Sequence, residues 1–308
     1  MVAAAVFLDL MIYSLGFACF LHSIGDMPLC RLNCRENACG SSKPRVSAIR
    51  LTGIFVSESM VDTDTVLRHD PSLTSVEIMR NTLDVIRTAI GEESYLLGCI
   101  APFMPFIGYA DGMRLAGDCG AQWAEPFGPI NMLREVPADH YFNHVFWQND
   151  PDAVLLRDFA TLLSPEEARS LALLQALSGG IVSISDPIHR LGADRKALLR
   201  LIEPKEKVTP ALPFLGENKN ELVLTHQLTQ GNLLFVLNPT DAPLTVVCRL
   251  AELFGDENWY QYRYDWEAES VAPVQSDLFF ETLAPHASAL VFVTRAPLTE
   301  KPSNLWDW

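Results

Sequence analysis

Apolar residues recur along this chain in three distinct rhythms. Between residues 75 and 90, Val76, Met79, Leu83, Ile86 and Ile90 step by three and four, which draws one apolar stripe down a helix. Thr74 opens that helix, because in Thr-Ser-Val-Glu the Thr74 hydroxyl and the Glu77 carboxylate satisfy each other's free backbone N–H groups. Gly91 supplies the stop. A second helix starts at the Ser164 cap, with Pro165 in its first turn and Glu167 as the reciprocal partner, and its apolar run from Ala168 to Leu177 ends at Gly179 and Gly180.

The second rhythm is a set of short apolar runs bounded by turn residues. "VSAIRLTGIFVS" (46–57), "SYLLGCI" (94–100), "DGMRLAGD" (111–118), "HVFWQND" (144–150) and "GGIVSISD" (179–186) read as buried strands. Helices alternate with these strands, so the expected sheet is parallel. The third rhythm begins near residue 221, where "ELVLTHQL", "GNLLFVLN", "LTVVCRL", "NWYQYRYDW" and "SALVFVT" follow one another with turn residues such as Asn238-Pro239-Thr240-Asp241 between them. That spacing predicts an antiparallel β-sandwich.

The expected organisation is an atypical lead-in over 1–47, a partial (β/α)8 barrel over 48–203, a Pro-containing linker over 204–220, the sandwich over 221–296 and a tail over 297–308. A complete barrel needs eight strand–helix units in about 250 residues. The region before the linker offers four or five strands, so a truncated gene product, an incomplete gene model or one part of a complex is expected. Half a barrel would leave unpaired strand edges.

Composition narrows the function classes. With 49% hydrophobic and 20% charged residues the chain reads as globular, and its net charge of -15 without a basic patch argues against a nucleic-acid partner. Cys19, Cys30, Cys34 and Cys39 are spaced C-x10-C-x3-C-x4-C, which matches no zinc pattern, so neither metal nor cofactor is expected. Residues 2–22 are apolar, yet no Lys or Arg precedes them and Asp9 lies inside. This favours a buried segment or an extended reading frame over an anchor, and a cytoplasmic location over a secreted or membrane-anchored one, unless 2–22 is a genuine signal.

Chemistry-bearing residues gather at the C-terminal ends of the predicted strands: Cys99, Asp118, Asn149 with Asp150 and Asp152, and Ser185 with Asp186. Parallel sheets and barrels bind ligands at that edge. Aspartates also cap helices and shape turns, and Asp186 before Pro187 fits either role. Arg114 and Asp118 would share one face of a strand, with Arg114 drawing the carboxylate's pKa down and burial beside Trp123 drawing it up. Trp123 and Trp147 with Asn149, Asp150 and Asp152 form the mixture of rings and carboxylates that suits a sugar, although Trp147 alone fits core packing as well.

The stretches "RHDPSLT", "YLLGCIAPFMPFIGYADGMRLAGD" followed by Trp123, "WQNDPDAVLLR" and "SPEEARSLALLQALSGGIVSISD" together resemble the C-terminal half of the catalytic barrel of the α-galactosidases of glycoside hydrolase family 36, in clan D. "LFVLNPTDAPL", "YRYDWE" and "LAPHASALVFVT" are similar to the sandwich that follows it. The resemblance covers about four-fifths of the chain. It implies retaining hydrolysis of terminal α-galactosides, with Asp118 as general acid/base and Arg114 as the arginine before it. Cys99, Trp123 and Asp152 would line or support the pocket, and a homo-oligomer is implied. The chain departs from the pattern at the nucleophile: the available register places Arg50 on the family's lysine and Thr52 on its aspartate. An unactivated hydroxyl does not replace a carboxylate there, and Glu58, Asp62 and Asp64 are the nearby acids. Two readings therefore stand, an α-galactosidase-like hydrolase with impaired activity and a non-catalytic carbohydrate-binding or assembly remnant.

Overall fold

The computed structural model describes residues 70, 72–99, 101–124, 128–204, 208–214, 219–255, 259–263, 274–298 and 304–306. The expected first strand at 46–57, together with Arg50, Thr52, Glu58, Asp62 and Asp64, lies outside them.

Helix α1 (Ser75–Ile90) carries the predicted reciprocal cap between Thr74 and Glu77, and Gly91 ends it at φ +77°. Met79 and Leu83 are buried, whereas Val76, the first residue of the predicted stripe, is 50% exposed. The stripe meets its neighbours only from the second turn onward. Strands β1 (Leu97–Gly98), β2 (Gly112–Arg114) and β3 (Gln148–Asp150) form a parallel sheet in sequence order. Between them lie α2 (Phe103–Phe106) and α3 (Ile130–Ala138). Asp111 starts β2 by accepting the Leu96 N–H and the Arg87 guanidinium, each at 2.9 Å, which ties α1 to the sheet.

A second parallel pair joins β4 (Ala153–Val154) to β5 (Ser183–Ile184), with α4 (Pro165–Leu177) running between them. α4 keeps its predicted Ser164–Glu167 box and is buried on nearly every side, from Ala168 to Leu177. These strands are shorter than their apolar runs. In the run 144–150 the chain turns at His144, φ +61°, and pairs regularly only from Gln148. In the run 179–186, Gly180 presses against the Asn149 carbonyl, leaving 2.0 Å where a Cβ would sit. α5 (Ala193–Leu201) follows β5.

The sandwich consists of a five-stranded antiparallel sheet in the order β10-β9-β12-β7-β6 and a pair, β11-β8. Its strands are β6 (Leu222–Gln227), β7 (Asn232–Leu237), β8 (Leu244–Arg249), β9 (Tyr260–Arg263), β10 (Val274–Gln275), β11 (Leu278–Leu283) and β12 (Ser288–Thr294). A short helix α6 (Leu250–Phe254) follows β8. The residues of β7 split between two cores. Leu234 and Val236 face the β8–β11 pair, while Leu233, Phe235 and Leu237 join the cluster that contains Leu171, Leu174 and Leu177 of α4. β12 divides the same way, with Val291 on one side and Leu290 and Phe292 on the other. The uninterrupted apolar runs of these strands follow from a sheet covered on both faces.

The segment expected to be a linker touches the sheet, since Ala211 and Thr225 exchange both backbone hydrogen bonds at 2.9 Å. The C-terminal residues also pack. Asn304 donates to the carbonyls of Arg200 and Glu203 at the end of α5, the Leu305 N–H donates to Leu201, and the Trp306 ring meets His226 edge-on at 5.3 Å. No helix among the described residues is long and apolar enough to cross a membrane.

Candidate functional site

Arg114 closes β2 at the C-terminal edge of the parallel sheet, and its guanidinium meets a carboxylate at each nitrogen. Nε lies 3.1 Å from Asp150 Oδ2, Nη1 3.1 Å from Asp118 Oδ1 and Nη2 3.1 Å from Asp152 Oδ1. A planar guanidinium supplies donors at fixed angles, so one side chain orients acids from two segments, the loop after β2 and the end of β3 with the residues just beyond it. The cluster carries two more negative than positive charges when all its groups are ionised. Only one of the acids is open to solvent: the Asp118 side chain is 81% exposed, against 4% for Asp150 and 11% for Asp152.

The route by which Arg114 and Asp118 meet differs from the strand reading. β2 ends at Arg114, so Asp118 reaches the guanidinium from the following loop and not from two residue pairs along a strand. The burial beside Trp123 weighed from the sequence does not occur either, because Asp118 faces solvent.

Asp152 fixes the loop on which Asp118 stands. Its backbone adopts φ +87°, a left-handed conformation that costs a residue other than glycine about 1–3 kcal/mol. That conformation is held by three hydrogen bonds. The Cys119 N–H donates to Oδ2 at 2.6 Å, the Ala153 N–H to Oδ1 at 2.6 Å, and the Asp152 N–H to Asp150 Oδ1 at 2.9 Å. Burial raises the Asp152 pKa above the ordinary carboxylate range, and the Arg114 charge and the two N–H donors counter only part of this. For Arg114 burial acts downward, but Asp150 and Asp152 reverse it, so the guanidinium is more firmly protonated than usual. Cys99, just past β1, lies within electrostatic reach of this cluster, and burial pushes its thiol pKa up. Burial and Asp152 push that of Cys119 up to about 12. Both sulfurs are therefore neutral thiols near pH 7, unsuited to nucleophilic work.

The other candidates occupy different places. Trp147 is 4% exposed and packs edge-on against Phe103 and Phe142, beneath the sheet edge. Asn149 takes the Asn143 Oδ1 on its backbone N–H at 3.0 Å and donates from Nδ2 to the Asp139 carbonyl at 2.9 Å, which braces the turn before β3. Asp186 is buried beyond β5, where the Leu156 and Arg157 N–H groups and the Arg157 guanidinium donate to it. Burial raises its pKa against those contacts. These bonds tie the segment after β4 to the residues that follow β5. Trp123 stacks on His286 of the sandwich, with ring centroids 4.0 Å apart and planes at 14°, so one indole face is covered.

His286 drew no attention in the sequence, where a lone histidine between two apolar strands carries no chemical signal. Among the described residues, no group of three His, Cys, Asp or Glu side chains is arranged to hold a metal ion.

No family model matches the chain. Similar solved structures include α-galactosidase I from Mortierella vinacea, at TM-score 0.57 and 11% identity over 71% of this chain and 62% of that one. A GH27 β-L-arabinopyranosidase from Geobacillus stearothermophilus matches at TM-score 0.58 and 17% identity, over 72% of this chain and 55% of that one. An α-galactosidase from Saccharomyces cerevisiae, solved with raffinose, matches at TM-score 0.55 and 12% identity, over 71% and 68%. The chain thus spans 62% and 55% of the first two of these proteins. At such identities the likeness is one of fold: this chain has part of a (β/α)8 barrel followed by an antiparallel β-sandwich, the architecture of these glycosidases.

Proposed function

We propose that this chain is an α-galactosidase-like glycoside hydrolase of the family 36 type, acting on terminal α-galactosides, with Asp118 as general acid/base. The observation that carries this reading is the Arg114 cluster, in which two buried aspartates anchor a guanidinium that in turn holds one exposed carboxylate at the C-terminal edge of a parallel sheet. A ligand there meets Asp118 first. A carboxyl that is solvent-open yet held from one side can pass a proton to a leaving oxygen, while Asp150 and Asp152, engaged by Arg114 and by backbone donors, stay in place.

Retaining hydrolysis also needs a second carboxylate about 5–5.5 Å from the first. The register of the sequence aligns Thr52 with the nucleophilic aspartate of family 36, and this favours a second reading, in which the site binds a galactoside without cleaving it. Turnover of an aryl α-galactoside by the purified chain, measured beside Asp118→Asn, separates the two. Under the hydrolase reading, Asp118→Asn lowers kcat by about two to four orders of magnitude, as general acid–base catalysis is worth. Equal turnover removes Asp118 from the mechanism. Folded protein with no turnover that still binds galactose supports the second reading.

A further inference from the structure

His286 stands at the turn between β11 and β12 with a left-handed backbone, φ +61°, and both of its ring nitrogens face carboxylates. Nδ1 lies 2.7 Å from Glu167 Oε1 of α4, and Nε2 lies 3.0 Å from Asp241 Oδ1 of the turn between β7 and β8. An ionised carboxylate only accepts, so each ring nitrogen is placed to donate to the carboxylate it faces. The flat face of the same ring covers Trp123, five residues beyond Asp118 on the loop after β2. Three separate pieces of the barrel half and the sandwich thus converge on one ring.

The surroundings hold the ring in place. Asn238, fully buried, donates from Nδ2 to the carbonyls of Ala242 at 2.8 Å and Ala284 at 2.9 Å, so the two turns that carry Asp241 and His286 are bound to each other. On the other side Glu167 belongs to the α4 cap, where its Oε2 accepts the Ser164 N–H at 2.7 Å and leaves Oε1 for the imidazole. The remaining charges on the neighbouring elements are engaged elsewhere: Glu166 pairs with Arg169 on α4, and Asp118 pairs with Arg114 on the loop.

We infer that His286 is a positioning residue whose ring, clamped between Glu167 and Asp241 and stacked on Trp123, fixes the Asp118–Trp123 loop from the sandwich side. Without the ring the indole loses the face that covers it and the two carboxylates lose their common partner. The consequence for Asp118 rests on the reading of the Arg114 cluster as the sugar site, whereas the clamp itself does not.

The test uses the full chain. The ring covers one face of the indole, so the Trp123 emission, taken as wild type minus Trp123→Phe, reports whether the clamp is closed. In His286→Gln that emission should shift to longer wavelength as the indole face is uncovered, and in Asp241→Asn, where the changed side chain is 97% exposed, it should shift less. At pH 6, amide exchange over residues 118–124 should be about tenfold faster in His286→Gln than in wild type, with α1 unchanged. Trp123 emission unchanged in His286→Gln, or exchange that rises equally in α1, overturns the clamp. If the clamp signals appear but no galactoside is cleaved or bound, the functional reading of Asp118 fails and the clamp stands.

Discussion

Acidification provides a quantitative check on the contact between α4, the five-stranded sheet and the C-terminal residues. His226 lies on β6, is 4% exposed, and donates from Nε2 to the Leu177 carbonyl at 2.6 Å. Burial lowers its pKa to about 4, against an ordinary 6.5, and the bond to Leu177 offsets only part of that. A histidine with a depressed folded-state pKa binds its proton more readily when the chain is unfolded. Its contribution to stability is therefore complete above about pH 6.5 and is lost as the pH falls toward 4. A difference of about 2.5 units corresponds to about 3 kcal/mol. The buried carboxylates of Asp152 and Asp186 act with the opposite sign, since their pKa values are raised and acidification just above the ordinary carboxylate range favours their folded forms. The wild-type profile alone therefore mixes the two effects. His226→Gln isolates the histidine, because its amide can still donate toward Leu177 but does not titrate. In urea denaturation at half-unit steps from pH 7 to 4, the wild-type stability minus that of His226→Gln should fall by about 3 kcal/mol, with most of the change below pH 6. Parallel profiles would refute the argument and mean that the ring reaches water or a carboxylate when it charges.

Two further substitutions probe the site and its scaffold. Arg114→Met leaves Asp150 and Asp152 buried without their counter-charge and should cost about 3–5 kcal/mol by denaturant titration. Arg114→Lys should fall between it and wild type, because one ammonium cannot span three carboxylates held at the three nitrogens of a fork; a Met variant within 1 kcal/mol of wild type would show that the cluster adds little to stability. Gly180→Ala should destabilise by about 1–3 kcal/mol, since its Cβ would sit 2.0 Å from the Asn149 carbonyl oxygen that also accepts the Ile181 N–H. An unchanged denaturation midpoint would mean that β3 and the α4–β5 turn move apart freely.

The parts of the fold that could be read in the sequence are those with local causes. The caps of α1 and α4 each involve residues three positions apart, so Thr74 with Glu77 and Ser164 with Glu167 identify the helix starts to the residue. Strands β7 and β12 were visible as apolar runs, although the second layer that makes them apolar on both faces is distant in sequence. β11 escaped notice because its outward positions include Leu278 and Phe280, which blur the alternation that would mark an outer strand. In the site, Arg114, Asp118, Asp150 and Asp152 were named together and do meet, but the strand-face argument for Asp118 failed because β2 stops at Arg114. The stack of Trp123 on His286 could not be foreseen, since nothing within either segment refers to the other.

The sheet that is covered on both faces bears on how this protein is inherited and handled. With β7 contributing to both cores, the sandwich is also the lid on α4, a helix that has almost no polar face of its own. Removing residues after 220 would expose Leu171, Leu174 and Leu177 together, a patch that drives association between chains. The two layers should therefore melt in one calorimetric transition, and they form a single unit for recombination: a crossover between them gives a soluble product only when the new sandwich presents matching residues to α4.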